Sequence, residues 1–589
     1  MKRLLLAAAL VLPLVSIRSS AQPSQAKALV PSGSRFHALE DDYWDTQMRL
    51  SPLYATYVGY PKYNDRLDDP GEAGRVESHR EYERLKNALL GTSPQGLSPE
   101  DTVSYGVMLS ELNRALDGER YKFWEWKVDQ MEGPQSWIAT SVATGQPMKT
   151  AEDAQALVVR MKSIPAYFAS YIANLREGLR DGNVAARVPV EKTISQLDEL
   201  LKTKPEDTVW AKVVLKLPAN IQPAVLPQVM AAVDTHVTPS LQELRDFLKN
   251  EYLPKARGEK IGLAALPGGL DAYKYLISYH TTLNLSPEEI HQIGLDEVKS
   301  IRAEMEAVAK HSRYKGDLAS FLAAVRADPK NYYASREEIV KDAQAKIDAS
   351  AAKLPKWFGL LPKTALVVKP FEEYRERNEV DAEYFEPSDD LARPGIFYVN
   401  TYKPETRARF QMGALAFHEG IPGHHLQLAI AREIPGLPTF RRHGDYNAFV
   451  EGWALYTERL ADEMGLYKTD LDRLGMLSMQ AWRACRLVVD TGLHAFGWTR
   501  QQAIDYMKEN TAMGTEEIEA EVDRYTIWPG QALAYKIGQR EIMKLRDEAK
   551  KAQGRKFDIK KFHDDVLKNG AVPLSLLRDQ LAPELTGKP

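Results

Sequence analysis

Apolar residues recur at three- and four-residue spacing along most of this 589-residue chain, and this periodicity constrains the fold more than any other feature. The stripes are clearest over residues 40–53, 71–90, 99–116, 151–178, 190–202 and 239–253, each opposite a charged face. Segments of this kind become helices that bury one side. Ser286-Pro287-Glu288-Glu289 marks a helix start, with a Ser cap, Pro in the first turn and Glu placed to close a capping box. Thr499-Arg500-Gln501-Gln502 repeats the box without the Pro. Residues 363–371 and 396–400 are rich in β-branched and aromatic side chains and read as strands. With 44% hydrophobic residues the chain can bury a large core. The expected fold is mainly α, a large helical body with a small β-sheet. The Gly-rich stretch 258–269 is the expected boundary between a helical lobe over 22–257 and a second lobe over 270–589.

Chemistry is concentrated in residues 415–427, Leu-Ala-Phe-His-Glu-Gly-Ile-Pro-Gly-His-His-Leu-Gln. Imidazole nitrogens and carboxylate oxygens are what Zn²⁺ takes as ligands, and a free carboxylate beside the metal activates water. The expectation is therefore a zinc hydrolase, and more narrowly a peptidase. The spacing leaves the second histidine open. On an ideal helix His425 falls within about 20° of the face of His418, and His424 roughly 120° away. Pro422 spoils that helix, because it lacks an N–H and its ring collides with the carbonyl of residue 418. Gly423 tolerates the irregular backbone that follows. A helix widened in π-bulge fashion would bring His424, instead of His425, onto the face of His418.

The chain resembles the bacterial domain-of-unknown-function family numbered 885, whose members look like zinc metallopeptidases. The H-E-x-x-P-G-H hallmark falls on His418, Glu419, Pro422, Gly423 and His424. E-G-W-A-x-Y-x-E falls on Glu451 to Glu458, and R-Y-x-x-x-P-G-Q-A-x-x-Y-x-x-G on Arg524 to Gly538. Further matches are Phe397 to Thr401 and Val489 to His494. The resemblance implies His418, His424 and Glu451 as ligands of one Zn²⁺, an arrangement similar to gluzincin peptidases, with His425 outside the ligand set. It implies Glu419 as general base, and it implies a central cleft roofed by the N-terminal helices. Tyr535 is the expected stabiliser of the oxyanion, with Tyr525 as the alternative. The strand at 396–400 is expected to be an edge whose backbone near Asn400 holds an extended peptide.

Other positions are read more plainly. Glu458 lies two turns from Glu451 and either braces a ligand or is solvated. Asp490 and His494 are spaced as an i,i+4 pair. His280 and His291 are expected to be surface or capping residues. Arg407, Arg409, Arg524 and Lys536 are the cations placed to hold a substrate terminus. Cys485 is the only cysteine, so no intramolecular disulfide forms and no Cys cluster can bind zinc. A net charge of −4 without a long basic run carries no nucleic-acid signature. Met1-Lys2-Arg3, an apolar run to Val15 and small residues ending at Ala21 predict a cleaved signal peptide over residues 1–21. The expected product is a periplasmic or secreted zinc metallopeptidase acting on short peptides through a metal-activated water, with no stable membrane insertion after cleavage. A zinc amidase on another substrate, or a non-catalytic zinc-containing peptide binder of the envelope, are the alternatives.

Overall fold

Every predicted apolar stripe forms helix, and local chemistry sets the ends. Residues 71–90 give Glu72–Leu90, and 99–116 give Pro99–Gly118, started by Ser98, whose side chain accepts from the Asp101 amide. The stripe over 151–178 divides into Ala151–Lys162 and Ile164–Asp181, because Pro165 cannot donate to the preceding turn. Ser286 and Thr499 both close the expected capping boxes. The computed structural model describes residues 32–586 apart from 374, 375, 379, 389 and 390. The predicted signal peptide lies outside the described residues. Among the described residues no helix is long and apolar enough to cross a membrane.

Six helices frame the region of interest: α1 (Pro287–His311), α2 (His424–Glu433), α3 (Asn447–Glu463), α4 (Asp470–His494), α5 (Thr515–Ile527) and α6 (Ala534–Gln553). α1 lies along α4, and α3 along α6. The second pair meets backbone to backbone, since a Cβ on Gly538 would overlap the Ala448 carbonyl and the Cα of Gly452. Phe36, Tyr43, Leu85 and Met108 of the first helices share one large core with Trp453, Leu477 and Leu567. Leu157, Phe168, Leu197 and Phe247 belong to a second core. Where the Gly-rich stretch passes, Leu263 and Leu266 join Tyr273, Ile290, Leu487 and Leu533 in a small third cluster.

The two predicted strands are β1 (Leu366–Pro370) and β3 (Gly395–Val399), and β2 (Ala382–Phe385) completes the sheet. The order is β1-β3-β2, with β1 parallel and β2 antiparallel to β3. This corrects the expectation for residues 396–400. β3 is the central strand, and its backbone groups are engaged on both sides, so it cannot receive a peptide. Gly395, Ile396, Phe397 and Val399 are all buried, as in a strand covered on both faces. Asn400 is likewise committed, donating from Nδ2 to the Glu376 carbonyl at 2.8 Å and accepting from the Tyr402 amide at 3.0 Å. The edge strand beside the His-Glu segment is β2.

Candidate metal centre

The His-Glu segment folds as its Pro-Gly step requires. Met412–Leu415 begins a helix that widens into a π-turn over Ala416–Gly420 and stops at a cis Ile421-Pro422 bond. Gly423 then doubles back so tightly that a Cβ there would overlap the Phe417 and His418 carbonyl oxygens. The chain re-enters helix α2 at His424. α3 clamps this turn from beside it. Trp453 Nε1 donates to the Pro422 carbonyl at 3.0 Å, and Thr457 Oγ1 to the Phe417 carbonyl at 3.0 Å.

The result brings His418 and His424 ring against ring, 4.9 Å between centroids and 87° between planes. One oxygen of Glu451, Oε2, lies 3.4 Å from His418 Nε2 and 3.5 Å from His424 Nε2. That oxygen is buried without a hydrogen-bond partner, as is His424 Nδ1. One ligand-type atom from each residue lies within 4.8 Å of the others, so these three could hold a metal ion. Two other groups of described residues come as close. In one, Glu125 and Asp181 already pair with the Lys122 ammonium; in the other, the exposed His37 is bonded to Asp101 at 3.0 Å. Neither turns two imidazoles on one carboxylate oxygen.

His425 points elsewhere. Its Nδ1 meets the Tyr384 hydroxyl at 3.0 Å, and its Nε2 the Thr364 carbonyl at 3.1 Å, so it fastens α2 to the sheet. Burial, opposed by the Thr364 bond, lowers its pKa to about 4. Glu458 is fully buried and accepts from His418 Nδ1 at 2.9 Å. In the neutral ring this places the hydrogen on Nδ1 and leaves the Nε2 lone pair facing Glu451. Gln480 Nε2 donates to the other Glu458 oxygen at 2.9 Å, and Arg483 stands 4.0 Å away.

The local field favours a cation. Burial by itself would depress the His418 imidazole, but the close approach of the Glu451 carboxylate, the bond to Glu458 and the neighbouring negative charge raise its pKa to about 9. Burial raises the Glu419 carboxyl against the pull of His418 and His424. Asp445 is exposed to water, yet the protein packed around it, with the charges of Glu451 and Glu386, pushes its carboxyl up to about 6. Sequence reading missed Asp445 and Arg483, which carry no spacing signal. It also misplaced His280, which is half-buried with its Nδ1 3.2 Å from the Asn447 amide at the start of α3.

The remaining candidates divide. Tyr525 is core, its hydroxyl accepting from Trp482 Nε1 at 3.1 Å and Arg486 Nε at 3.0 Å. Tyr535, one turn before Gly538, accepts from Arg524 Nη2 at 3.3 Å. Arg407 pairs with Asp381, and Arg409 with Glu338. Lys536 is buried and donates to Gln480 and Gln539. The expected Asp490–His494 pair gives way to separate partners. Asp490 accepts from the Tyr273 hydroxyl and the Gly530 amide, whereas His494 Nδ1 accepts from the Leu263 amide. His291 bonds Thr491.

A mainly α body with a three-stranded sheet, carrying two histidines and a glutamate at one point, defines the class to which comparison is made. The family model described as "Bacterial protein of unknown function (DUF885)" matches residues 52–581, and the chain belongs to that family. A solved structure from Colwellia psychrerythraea, described as a "putative lipoprotein", is similar at 30% identity and TM-score 0.89, over 95% of this chain and 100% of that one. A second protein of that description, from Shewanella oneidensis and of unknown function, shares the fold at 22% identity and TM-score 0.72, over 93% and 99% of the two chains. None of the curated proteins matches.

Proposed function

We propose that this protein is a zinc-dependent peptidase of short peptides that works outside the cytoplasm. The observation that carries the reading is Glu451 Oε2, buried, unpartnered, and 3.4 and 3.5 Å from two imidazole Nε2 atoms. Tetrahedral zinc with bonds of about 2.0–2.2 Å keeps its ligand atoms roughly 3.3–3.6 Å apart, so both spacing and donor set fit that ion. His418, His424 and Glu451 would hold it. When bound, zinc supplies a Lewis acid and makes water a better nucleophile at neutral pH.

The chain's own groups do the rest. Glu419 is half-buried, and its raised pKa suits a base working near neutrality. It takes a proton from the attacking water, whose oxygen joins the carbonyl carbon. The C–N bond then breaks, and Glu419 passes that proton to the leaving amine. Tyr535 keeps its own hydroxyl hydrogen while accepting from Arg524, so it can donate to the carbonyl oxygen as charge develops. β2, as the edge strand, replaces β3 as the proposed partner for an extended peptide backbone. An extracytoplasmic location is supported by the leader pattern over residues 1–21 and by the lipoprotein description of the Colwellia relative.

The test is a peptide-library digest read by mass spectrometry, with metal content measured alongside. Glu419→Gln is expected to keep one zinc and lose turnover by about 10²–10⁴-fold. His424→Ala is expected to lose the zinc, and His425→Ala to retain it. Full activity in metal-free protein, or in Glu419→Gln, would refute the reading.

A further inference from the structure

Beyond Tyr535 lies a group of arginines that the protein's own acceptors do not fully engage. Arg483 and Arg486 stand one turn apart on α4, and Arg524 of α5 comes up beside Arg486 around a shared partner, Glu521. Arg486 is 1% exposed. Its guanidinium carbon lies 4.4 Å from the Trp482 ring centroid and 4.3 Å from that of Tyr535. Nε donates to the Tyr525 hydroxyl, and Nη2 pairs with Glu521 at 2.9 Å. Nη1 remains, buried and without a partner.

Arg524 is similarly incomplete. Its Nη2 donates to Gln531 at 2.7 Å and to Tyr535 at 3.3 Å, but Nη1 reaches Glu521 only at 3.4 Å, and Nε is buried without a partner. Among the described residues, Glu521 is the only carboxylate that pairs with either guanidinium. Glu458, 4.0 Å from Arg483, is already committed to His418 and Gln480. Buried guanidinium donors without acceptors are costly, and a ligand carboxylate is the group whose two oxygens match the planar fork.

The position suits a substrate. The Arg524 side chain keeps 14% exposure, and its charge acts on Glu132, an exposed residue in the turn before the Pro134–Gly145 helix. The same Arg524 touches the hydroxyl proposed to face the scissile carbonyl. Arg407, Arg409 and Lys536 are engaged elsewhere, which leaves Arg524 as the cation of that set beside Tyr535. We propose that Arg524, backed by Arg486 and Tyr535, binds the C-terminal carboxylate of the substrate, so that the enzyme removes one or two residues from free carboxyl ends. The proposal rests on the peptidase reading for its choice of peptide.

Zinc-loaded Glu419→Gln protein, titrated calorimetrically with an acylated tripeptide and with its C-terminal amide, measures the site without turnover. The free acid is expected to bind about 10- to 100-fold tighter, the range of a charge-assisted hydrogen-bond pair. Adding Arg524→Gln is expected to remove that ratio through loss of free-acid affinity, with retained zinc content reporting intact folding. Arg524→Lys is expected to restore part of it, because charge returns without the fork. Equal binding of acid and amide, or a ratio that survives Arg524→Gln, overturns the proposal. Wild-type turnover of the same two peptides separates the readings. If neither is cut while the ratio stands, the peptidase reading fails and the carboxylate site survives.

Discussion

Glu458 offers a test of the metal reading at a residue outside the proposed ligand set. It is fully buried, holds His418 Nδ1 at 2.9 Å through one oxygen and accepts from Gln480 at 2.9 Å through the other. That bond fixes which His418 nitrogen carries the hydrogen and how the ring is turned. Partners of this kind are worth roughly 10–100-fold in metal affinity, or about 1.4–2.8 kcal/mol. Glu458→Gln keeps the volume and an acceptor but removes the charge, so zinc is expected to bind about 10-fold more weakly. Glu458→Ala also leaves the His418 N–H unpaired in a closed space and strips Gln480 Nε2 of the nearer of its two acceptors, and a loss of about 100-fold is expected. Competition against a chromophoric chelator at fixed pH measures both. Dissociation constants within about twofold of wild type in both variants would show that Glu458 does not orient the imidazole, and the argument from tautomer to affinity would fail.

Two further outcomes are expected elsewhere in the fold. Gly538→Ala gains about 1 kcal/mol of helix propensity but drives a Cβ into the backbone of α3, which cannot yield. Overpacking costs roughly 1–3 kcal/mol or more, so the urea midpoint is expected to fall; an unchanged midpoint would mean α3 and α6 can separate freely. His563 is buried between Tyr456 Oη at 2.7 Å and the Trp357 carbonyl at 2.8 Å, and burial lowers its pKa to about 3 against about 6.5 when unfolded. Between those values the unfolded chain binds the extra proton, so this contribution to stability is complete above pH ~6.5 and lost as pH falls towards ~3. Urea midpoints measured across that window are expected to fall less steeply in His563→Gln, and an identical slope would contradict the assignment.

Five of the six specified positions of E-G-W-A-x-Y-x-E acquire a separate reason once packed. Glu451 faces the histidines, Gly452 admits α6, Trp453 holds the Pro422 carbonyl, Tyr456 bonds His563 and Glu458 fixes His418. The spacing in the sequence shows that these residues share a helix. It cannot show which neighbour each one meets. Ile396 to Asn400 illustrates the same gap, because apolar composition identifies a strand but not whether it lies at the edge or the centre.

The amino-acid order alone determined the helices over the six apolar stripes, the capping boxes at Ser286 and Thr499, two of the three strands and the adjacency of His418 and Glu419, because periodicity and capping act within a few residues. Tertiary structure decided the choice of His424 over His425 at Glu451, since the Pro-Gly turn and its clamp from α3 set the rotation of α2. It likewise decided that β3 is central and that Arg524 meets the Tyr535 hydroxyl while Arg407, Arg409 and Lys536 are engaged. Those outcomes depend on partners distant along the chain, and the side chains that answer a buried charge are known only when the elements have packed.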